Sequence, residues 1–210
     1  MSDENQLDEE LERLRTGGDQ AVAELFSQYE ERLRKMVNYR LDRRLYGRVD
    51  AGDVLQEAYL EAARRVGDYI DRPTVPFFIW LRQITSQVLI DNHRRHLAKM
   101  RSANQEVRIH RGAYLQASSM SLAAQLVGNL TSPSRVVMRE ELLDQLREAL
   151  DGMDELDREV LALRHFEELT NNEVAEVLGL QKAAASNRYV RALKRLKGIL
   201  EKFSLFEQEP

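Results

Sequence analysis

Two groups of residues in this chain have types and spacings that could do chemistry. Residues 182–195 combine basic, amide and hydroxyl side chains, which can neutralise phosphates and bond base edges. Asp53 and Glu57 are carboxylates four residues apart, on one face of a helix. Paired carboxylates also suggest hydrolysis or metal binding, but no His or second acid cluster, nucleophile–base pair or phosphate loop accompanies them. The first group therefore favours nucleic-acid binding, and the second a charged docking surface.

A helix-turn-helix is the element that would position the C-terminal group. Thr170 and Glu173 have the spacing of a capping box, which predicts a helix start. Gly179 can supply the positive φ of a tight turn, and a second helix is predicted from 181 to about 203. Its inward stripe would be Ala185, Tyr189, Ala192, Leu193 and Leu196. Its predicted DNA-binding residues are Lys182, Ala183, Ala184, Ser186, Asn187, Arg188 and Arg191.

The alternative for this segment is an ordinary helical hairpin with a basic solvent face. The combination of cap, glycine turn and basic second helix favours DNA binding. Residues 153–166 precede it and are predicted to form a buried supporting helix. Its acids are expected to lie on the side away from DNA; the alternative is that they contact a protein partner.

The N-terminal acids lie on a second predicted helix, 51–65. Asp50 is a suitable N-cap. Asp53, Gln56, Glu57 and Leu60 then share one face, while Val54, Ala58 and Ala62 point into the core. An acidic face with one exposed leucine suits docking onto an arginine-rich protein surface. The alternative is a solvated helix face.

A third helix is predicted over 76–100, with Pro76 in its first turn. Its predicted core stripe is Phe77, Trp80, Leu81, Ile84 and Val88. The residues expected to be exposed are Phe78, Arg82, Ser86, Gln87, Asn92, His93 and Arg94. Basic side chains near aromatic ones suit single-stranded nucleic acid. His93 and His96 have a metal-ligand spacing, but without a further His or Cys nearby they favour phosphate or solvent contacts.

Charge distribution decides whether nucleic acid is a plausible partner. The net charge of −4 argues against it. However, residues 76–112 hold seven Lys or Arg against two acids, and residues 181–202 hold seven against one. Local potential governs DNA affinity more than the total does, so two basic segments keep DNA binding open.

Composition also indicates the cellular compartment of the protein. The chain has no cysteine, which excludes disulfides and thiolate metal sites and favours a reducing environment. No apolar run approaches the ~20 residues of a membrane span, and the acidic N-terminus lacks a signal core. We therefore predict a cytoplasmic protein without membrane insertion or cofactor.

The predicted fold class is all-α, with two small helical domains joined by a long linker. Prolines are few and no stretch alternates with period two. The predicted order is an acidic tail over 1–19, a first domain over 20–100, a linker over 101–138 and a helix-turn-helix domain over 139–205. A loop is predicted over 67–75, some helix in the linker near 113–126, and four short helices after 139.

The motifs together resemble a known family. The pattern Asp-Ala-x-Asp-x-x-Gln-Glu-x-Tyr over 50–59, followed by Phe-x-x-Trp-Leu over 77–81 and Asp-x-x-Arg-Arg over 91–95, is similar to region two of sigma factors. Residues 157–164, the helix-turn-helix and 191–196 are similar to region four. Among sigma factors, these motifs most resemble those of the two-domain extracytoplasmic-function (ECF) class of the sigma-70 superfamily. The resemblance covers about residues 20–100 and 139–203.

The resemblance implies a non-enzymatic transcription initiation factor that directs core RNA polymerase to promoters. Asp50, Asp53, Gln56 and Glu57 would bind the clamp helices of the polymerase's largest subunit. Loop 67–75 and the third helix, with Arg82, Ser86, Gln87, Asn92, His93 and Arg94, would open the minus-ten element. The helix after Gly179 would read the minus-thirty-five element as duplex, and the linker would run towards the RNA exit channel.

The partners implied are core RNA polymerase and promoter DNA, with an anti-sigma factor as a further partner and no small-molecule substrate. Two alternatives remain at this point. A stand-alone helix-turn-helix regulator would be a dimer on palindromic sites. An interaction module that imitates the sigma surface without using DNA would tolerate replacement of Arg188 and Arg191.

Overall fold

The computed structural model describes residues 3–42, 45–100, 119–130 and 136–203. All regular structure in these ranges is helical, as the sequence predicts. The chain divides into two compact units, Met1–Arg111 and Gly112–Pro210. Within the described ranges, no helix has the length and apolarity needed to cross a bilayer.

In the described residues of the first unit, the α-helices are α1 (Asp3–Arg40), α2 (Ala51–Asp71) and α3 (Phe77–Met100). Each helix contacts the other two. Apolar side chains at helical spacing form the core between them because burial removes their surface from water. The largest fully buried side chains of this core are Leu25, Leu33, Met36, Leu45, Phe77, Ile79 and Leu81.

The N-terminal segment differs from the predicted acidic tail over 1–19. It is the first part of α1, which bends at Gly18, where φ is 54°. Leu11 and Leu14 are buried. The Tyr29 hydroxyl donates to the Glu10 carboxylate. A short apolar stripe hidden among many acids is therefore enough to dock this segment onto its own unit.

The connection between α2 and α3 is shorter than the predicted loop over 67–75. Helix α2 continues to Asp71, so Gly67 lies inside it. Tyr69 stacks on Trp80 with ring centroids 4.7 Å apart, and its hydroxyl donates to the Val75 carbonyl at 2.9 Å. A helical glycine costs about 1 kcal/mol relative to alanine. Packing of Tyr69 against Trp80 and Phe77 offsets this cost. A prediction from Gly67 alone does not include this packing, so it ends α2 too early.

The second unit contains α4 (Ser119–Leu130), α5 (Val136–Asp151), α6 (Glu155–His165), α7 (Asn171–Leu178) and α8 (Lys182–Leu200). The last four are the short helices predicted after 139. Helix α4 differs from the predicted linker over 101–138, because it belongs to the core of this unit. Its side chains Leu122, Ala123 and Val127 are buried with Leu146 and Leu150 of α5.

The helix predicted near 113–126 is thus found a few residues towards the C-terminus, at Ser119–Leu130. Its small and apolar side chains give it a stripe that α5 covers. The remainder of the predicted linker that precedes α4, 101–118, lies outside the described residues, as does 131–135.

The turn between α7 and α8 has the geometry that the sequence predicts. The Glu173 amide donates to Thr170 Oγ1 at 3.2 Å, and the Thr170 amide donates to Glu173 Oε2 at 2.7 Å, which completes the capping box. Gly179 has a φ of 63°, in the left-handed region. The Leu180 amide then donates to the Ala175 carbonyl at 2.8 Å. These bonds end α7 and set the direction in which α8 begins.

Gly179 should be sensitive to a side chain. We expect Gly179→Ala to lower the stability of α7 and α8 by about 1–2 kcal/mol, the cost of left-handed backbone for an L-residue. Native-state hydrogen exchange of the α7 and α8 amides measures this loss.

Gly198→Ala is the matched control for this substitution. Gly198 lies within α8, and a Cβ there meets nothing within 4 Å. This change should stabilise the same amides by about 0.8–1 kcal/mol. Equal effects of the two substitutions would contradict the role assigned to Gly179.

Candidate functional site

The outer face of α2 carries the predicted docking residues. Asp50 caps the helix, with its carboxylate accepting from the Gly52 amide at 2.5 Å. Asp53 and Gln56 are exposed, and Leu60 retains 48% of its surface. The opposite face is fully buried through Val54, Ala58 and Ala62, so the predicted division of α2 is confirmed.

Glu57 differs from the other acids of this face because α3 holds it. Asn92 Nδ2 donates to its carboxylate at 2.9 Å, and Arg95 Nη2 lies 3.0 Å from Oε2. The hydrogen bond from Arg95 lowers the pKa of Glu57 against the opposing effect of burial, and the bond from Asn92 adds to it. Glu57 is therefore a fixed anion at neutral pH. Sequence reasoning did not select Arg95, because only the packing of α3 on α2 brings the pair together.

The predicted exposed face of α3 is wrong. Five side chains expected in solvent are each less than one-tenth exposed: Phe78, Arg82, Ser86, Asn92 and His93. The reason is that both α1 and α2 pack against α3, so polar side chains outside its apolar stripe are also covered. A prediction based on one apolar stripe assumes that the helix is buried on one side only. A helix that packs against two neighbours is buried on more than one side.

Contacts with α1 and the residues after it show how this side is covered. Tyr29 and Phe78 have ring centroids 5.2 Å apart, and the Arg32 guanidinium lies 3.6 Å from the Phe78 centroid. Ser86 Oγ donates to Met36 Sδ at 3.7 Å. The Asp42 amide donates to His93 Nε2 at 3.4 Å. These side chains are used inside the unit.

Two of the six α3 residues predicted to bind DNA keep a half-exposed side chain, Gln87 and Arg94. Both contact Asp91: Gln87 Nε2 donates to its carboxylate at 3.1 Å, and Arg94 Nη1 lies 3.9 Å from Oδ1. The other four, Arg82, Ser86, Asn92 and His93, are buried and do not form a contact surface. Trp80 is also half-exposed, beside the short α2–α3 connection, although sequence reasoning assigned it to the core.

The outward surface of α8 agrees with the sequence in all but one position. Lys182, Ala183, Ala184, Ser186, Asn187 and Arg191 are exposed. Their predicted exposure is confirmed, while Ala185 and Ala192 are buried on the inward side. Val190 is 49% exposed on this helix, an apolar side chain that sequence reasoning did not select.

Arg188 is the exception, because acids of α6 hold it. Its Nη1 lies 2.8 Å from Asp157 Oδ1 and 3.0 Å from Asp154 Oδ1. Arg195 Nη1 lies 2.6 Å from the other oxygen of Asp157. Asp157 is only 3% exposed and lies against α8, so it does not belong to a solvent-facing acidic side of residues 153–166. Glu159 is also buried.

Asp154 serves two purposes at the start of α6. Its carboxylate accepts from the amides of Leu156 and Asp157, which caps the helix. Burial opposes its ionisation, but these backbone bonds and the nearby Arg188 lower its pKa. Asp154 is thus an anion beside Arg188. Among the described residues, there is no group of three or more His, Asp or Glu that could hold a metal ion.

Known proteins share both the sequence pattern and the fold. The family described as ECF sigma factor matches residues 4–199. The ECF RNA polymerase sigma factor BldN of Streptomyces coelicolor is 24% identical over 199 residues, which cover 95% of this chain and 67% of BldN. The ECF RNA polymerase sigma factor SigW of Bacillus subtilis is 23% identical over 201 residues, covering 92% of this chain and 96% of SigW.

A solved structure has the same fold. The structure of CnrH in complex with the cytosolic domain of CnrY matches with a TM-score of 0.52 and 20% identity, covering 92% of this chain and 96% of that one. The family match extends over both helical units, including α2, α3, α7 and α8. The chain therefore belongs to the ECF sigma factor family, the transcription initiation factors that direct RNA polymerase to promoters.

Proposed function

We propose that this sigma factor uses the outer face of α2 to bind core RNA polymerase and the outward surface of α8 to read promoter duplex. The observation that carries the proposal is that each predicted surface is exposed on its own helix, while other residues of that helix are buried in the core. The family match over nearly the whole chain favours this function over a stand-alone helix-turn-helix regulator.

The α2 surface suits a basic protein partner. Asp53 and Gln56 offer acceptors, Glu57 is a fixed anion, and Leu60 supplies an apolar contact of the kind found at interface centres. Arg95 holds Glu57 in place before binding, so less conformational freedom is lost on docking. We assign this surface, with Asp50 at its start, to the clamp helices of the polymerase.

The α8 surface suits the major groove. Ala183 and Ala184 are small and exposed at the start of the helix, so the backbone can approach the groove floor. Ser186 and Asn187 can bond base edges, and Lys182 and Arg191 can neutralise phosphates. We assign this surface to the minus-thirty-five element, with Arg188 removed from the set because α6 holds it.

For the minus-ten element we propose a smaller surface than the sequence implied. It consists of the α2–α3 connection with Trp80, Gln87 and Arg94, the side chains that remain half-exposed. Stacking of unpaired bases on an aromatic side chain contributes about 1–3 kcal/mol per base. This energy would offset an unpairing cost of a few kcal/mol per flipped base, which is how melting could proceed without ATP.

The acidic net charge of −4 is compatible with this division of labour. Alone, the chain should bind DNA weakly. Polymerase would hold both units near promoter DNA and raise their effective concentration there. An anti-sigma factor that covered the α2 surface would prevent this assembly.

In-vitro transcription with core polymerase and a promoter library tests the proposal. Promoter-specific initiation that depends on this chain is expected. Initiation without promoter selection, or none with any bacterial core, would overturn the proposed function.

Charge reversal on α2 should disrupt core binding. We expect Asp53→Lys to weaken the affinity for core polymerase about 10- to 100-fold, because like charges at an interface repel. Glu31→Lys makes the same charge change at an exposed position of α1 and should leave the affinity unchanged. Fluorescence anisotropy of the labelled chain titrated with core polymerase measures both. Normal binding by Asp53→Lys would reject the assignment of this face.

The pairing of Glu57 predicts a pH-dependent contribution to stability. Because its folded pKa is lowered, the contribution is present above the unfolded pKa of about 4.3 and is lost as the pH falls through the folded value. We expect Arg95→Gln to reduce the free energy of unfolding at pH 7 by up to about 1 kcal/mol, since both side chains are partly exposed. The difference should disappear in acid.

Urea unfolding followed by fluorescence measures this, because Trp80 is the single tryptophan and lies in the first unit. Arg64→Gln is the control, since Arg64 is 75% exposed and lies 3.6 Å from Glu61. It should show little effect at either pH. A stability loss in Arg95→Gln that is the same at both pH values would count against the Glu57 pairing.

A further inference from the structure

The bases of α8 fall into two groups when their partners are compared. Arg188 and Arg195 are held by Asp154 and Asp157 at 2.6–3.0 Å. Lys197 lies 3.7 Å from Glu201 near the end of the helix, where both side chains are exposed. Within the part of the chain that the structure describes, the remaining bases have no carboxylate partner; they are Lys182, Arg191 and Lys194.

Asp157 holds its arginines more firmly than a surface acid would. Its side chain is 4% exposed, and each carboxylate oxygen accepts from a different arginine. A buried carboxylate that loses its cations remains charged and out of water, which is strongly unfavourable. A DNA phosphate must therefore compete with a desolvated anion for Arg188 and Arg195.

The cluster as a whole carries no net charge. Two arginines of α8 meet two aspartates of α6 and its cap, so their formal charges cancel. The field that α8 presents to a phosphate backbone therefore comes from fewer cations than its sequence suggests. Sequence-independent DNA affinity rises with each phosphate that is neutralised, whereas base-edge contacts supply specificity.

We infer that Asp157 is a specificity-determining residue that withholds Arg188 and Arg195 from DNA phosphates. Helix α8 then contacts the DNA phosphates through Lys182, Arg191 and Lys194, so its sequence-independent affinity for DNA stays low. Ser186 and Asn187 remain available to bond base edges. The inference rests on the proposed function, in that it requires α8 to be the DNA-binding helix.

The test is the salt dependence of binding by the full-length chain to a duplex without a promoter. Asp157→Asn keeps the shape of the side chain and removes its charge, so Arg195 loses its pairing with Asp157 and Arg188 keeps only the exposed Asp154, a weak surface pair. Each additional phosphate that the protein neutralises steepens the slope of log K against log salt by about 0.9. For two additional phosphates, affinity should fall about 12-fold more between ~50 and ~200 mM salt than it does for the unmodified chain.

Asp144→Asn is the charge-matched control. Asp144 lies on α5 of the same unit, is 72% exposed, and lies 3.8 Å from Arg147. Its slope should equal that of the unmodified chain. If Asp157→Asn is folded by circular dichroism and has the same slope as the control, the inference is wrong.

Arginine and lysine variants test the inference even if Asp157→Asn does not fold. Arg195→Gln should leave the slope unchanged, because Asp157 already withholds that cation. Lys194→Gln, at the adjacent position, should make the slope less steep by about 0.9. In the Asp157→Asn background, Arg195→Gln should reverse part of the increase in slope. An equal reduction by Arg195→Gln and Lys194→Gln in the unmodified background would overturn the inference.

The proposed function fails in a distinguishable way. If neutralising Lys182, Arg191 and Lys194 together leaves the slope unchanged, α8 does not bind the phosphate backbone, and both the DNA role of α8 and the inference are rejected. If those three lower the slope and Arg195→Gln does so as well, α8 binds DNA and only the role of Asp157 is rejected.

Discussion

A carboxylate that is wholly or partly withdrawn from water must keep hydrogen-bond donors, and Glu10, Glu57 and Asp157 take theirs from a neighbouring helix or helix segment. Glu10 accepts from Tyr29 across the bend at Gly18. Glu57 of α2 accepts from Asn92 and Arg95 of α3. Each bond joins two apolar surfaces that could otherwise slide or rotate, because hydrophobic contact is not directional and a charged hydrogen bond is.

Asp157 applies the same constraint to the second unit. Its two oxygens are satisfied by Arg188 and Arg195, which lie seven residues apart on one side of α8. Together with the glycine turn at Gly179, this fixes both the direction and the rotation of the helix. The DNA-binding proposal depends on the residues of α8 that this arrangement leaves exposed.

The two proposed surfaces differ in how they are prepared for binding. On α2, Arg95 of the neighbouring helix holds an anion in place and leaves it half-exposed for a partner. On α8, Asp157 of the neighbouring helix α6 instead pairs with Arg188 and Arg195, so these cations are less available to a partner. A short helical protein with a net charge of −4 can thus present a sharply divided charge pattern, because internal pairs cancel charges that the sequence shows as independent.

The sequence by itself determined the features that local physics controls. The all-helical class, the cap at Thr170, the turn at Gly179 and the two-sided character of α2 follow from side chains within one or two helical turns of each other. The inward and outward sides of α8 were predictable for the same reason, apart from Arg188.

Only the tertiary structure decided the features that depend on a second helix. Ser86 and His93 are buried against α1 and the residues after it, Asn92 is held by Glu57 of α2, and the pairing of Arg188 requires Asp157, thirty-one residues away. The docking of α4 against α5 likewise turns an apparent linker into core. Periodicity shows that a helix has an apolar side, but it does not show how many neighbours the helix has. That number decides whether a polar side chain reaches a partner molecule or is used within the fold.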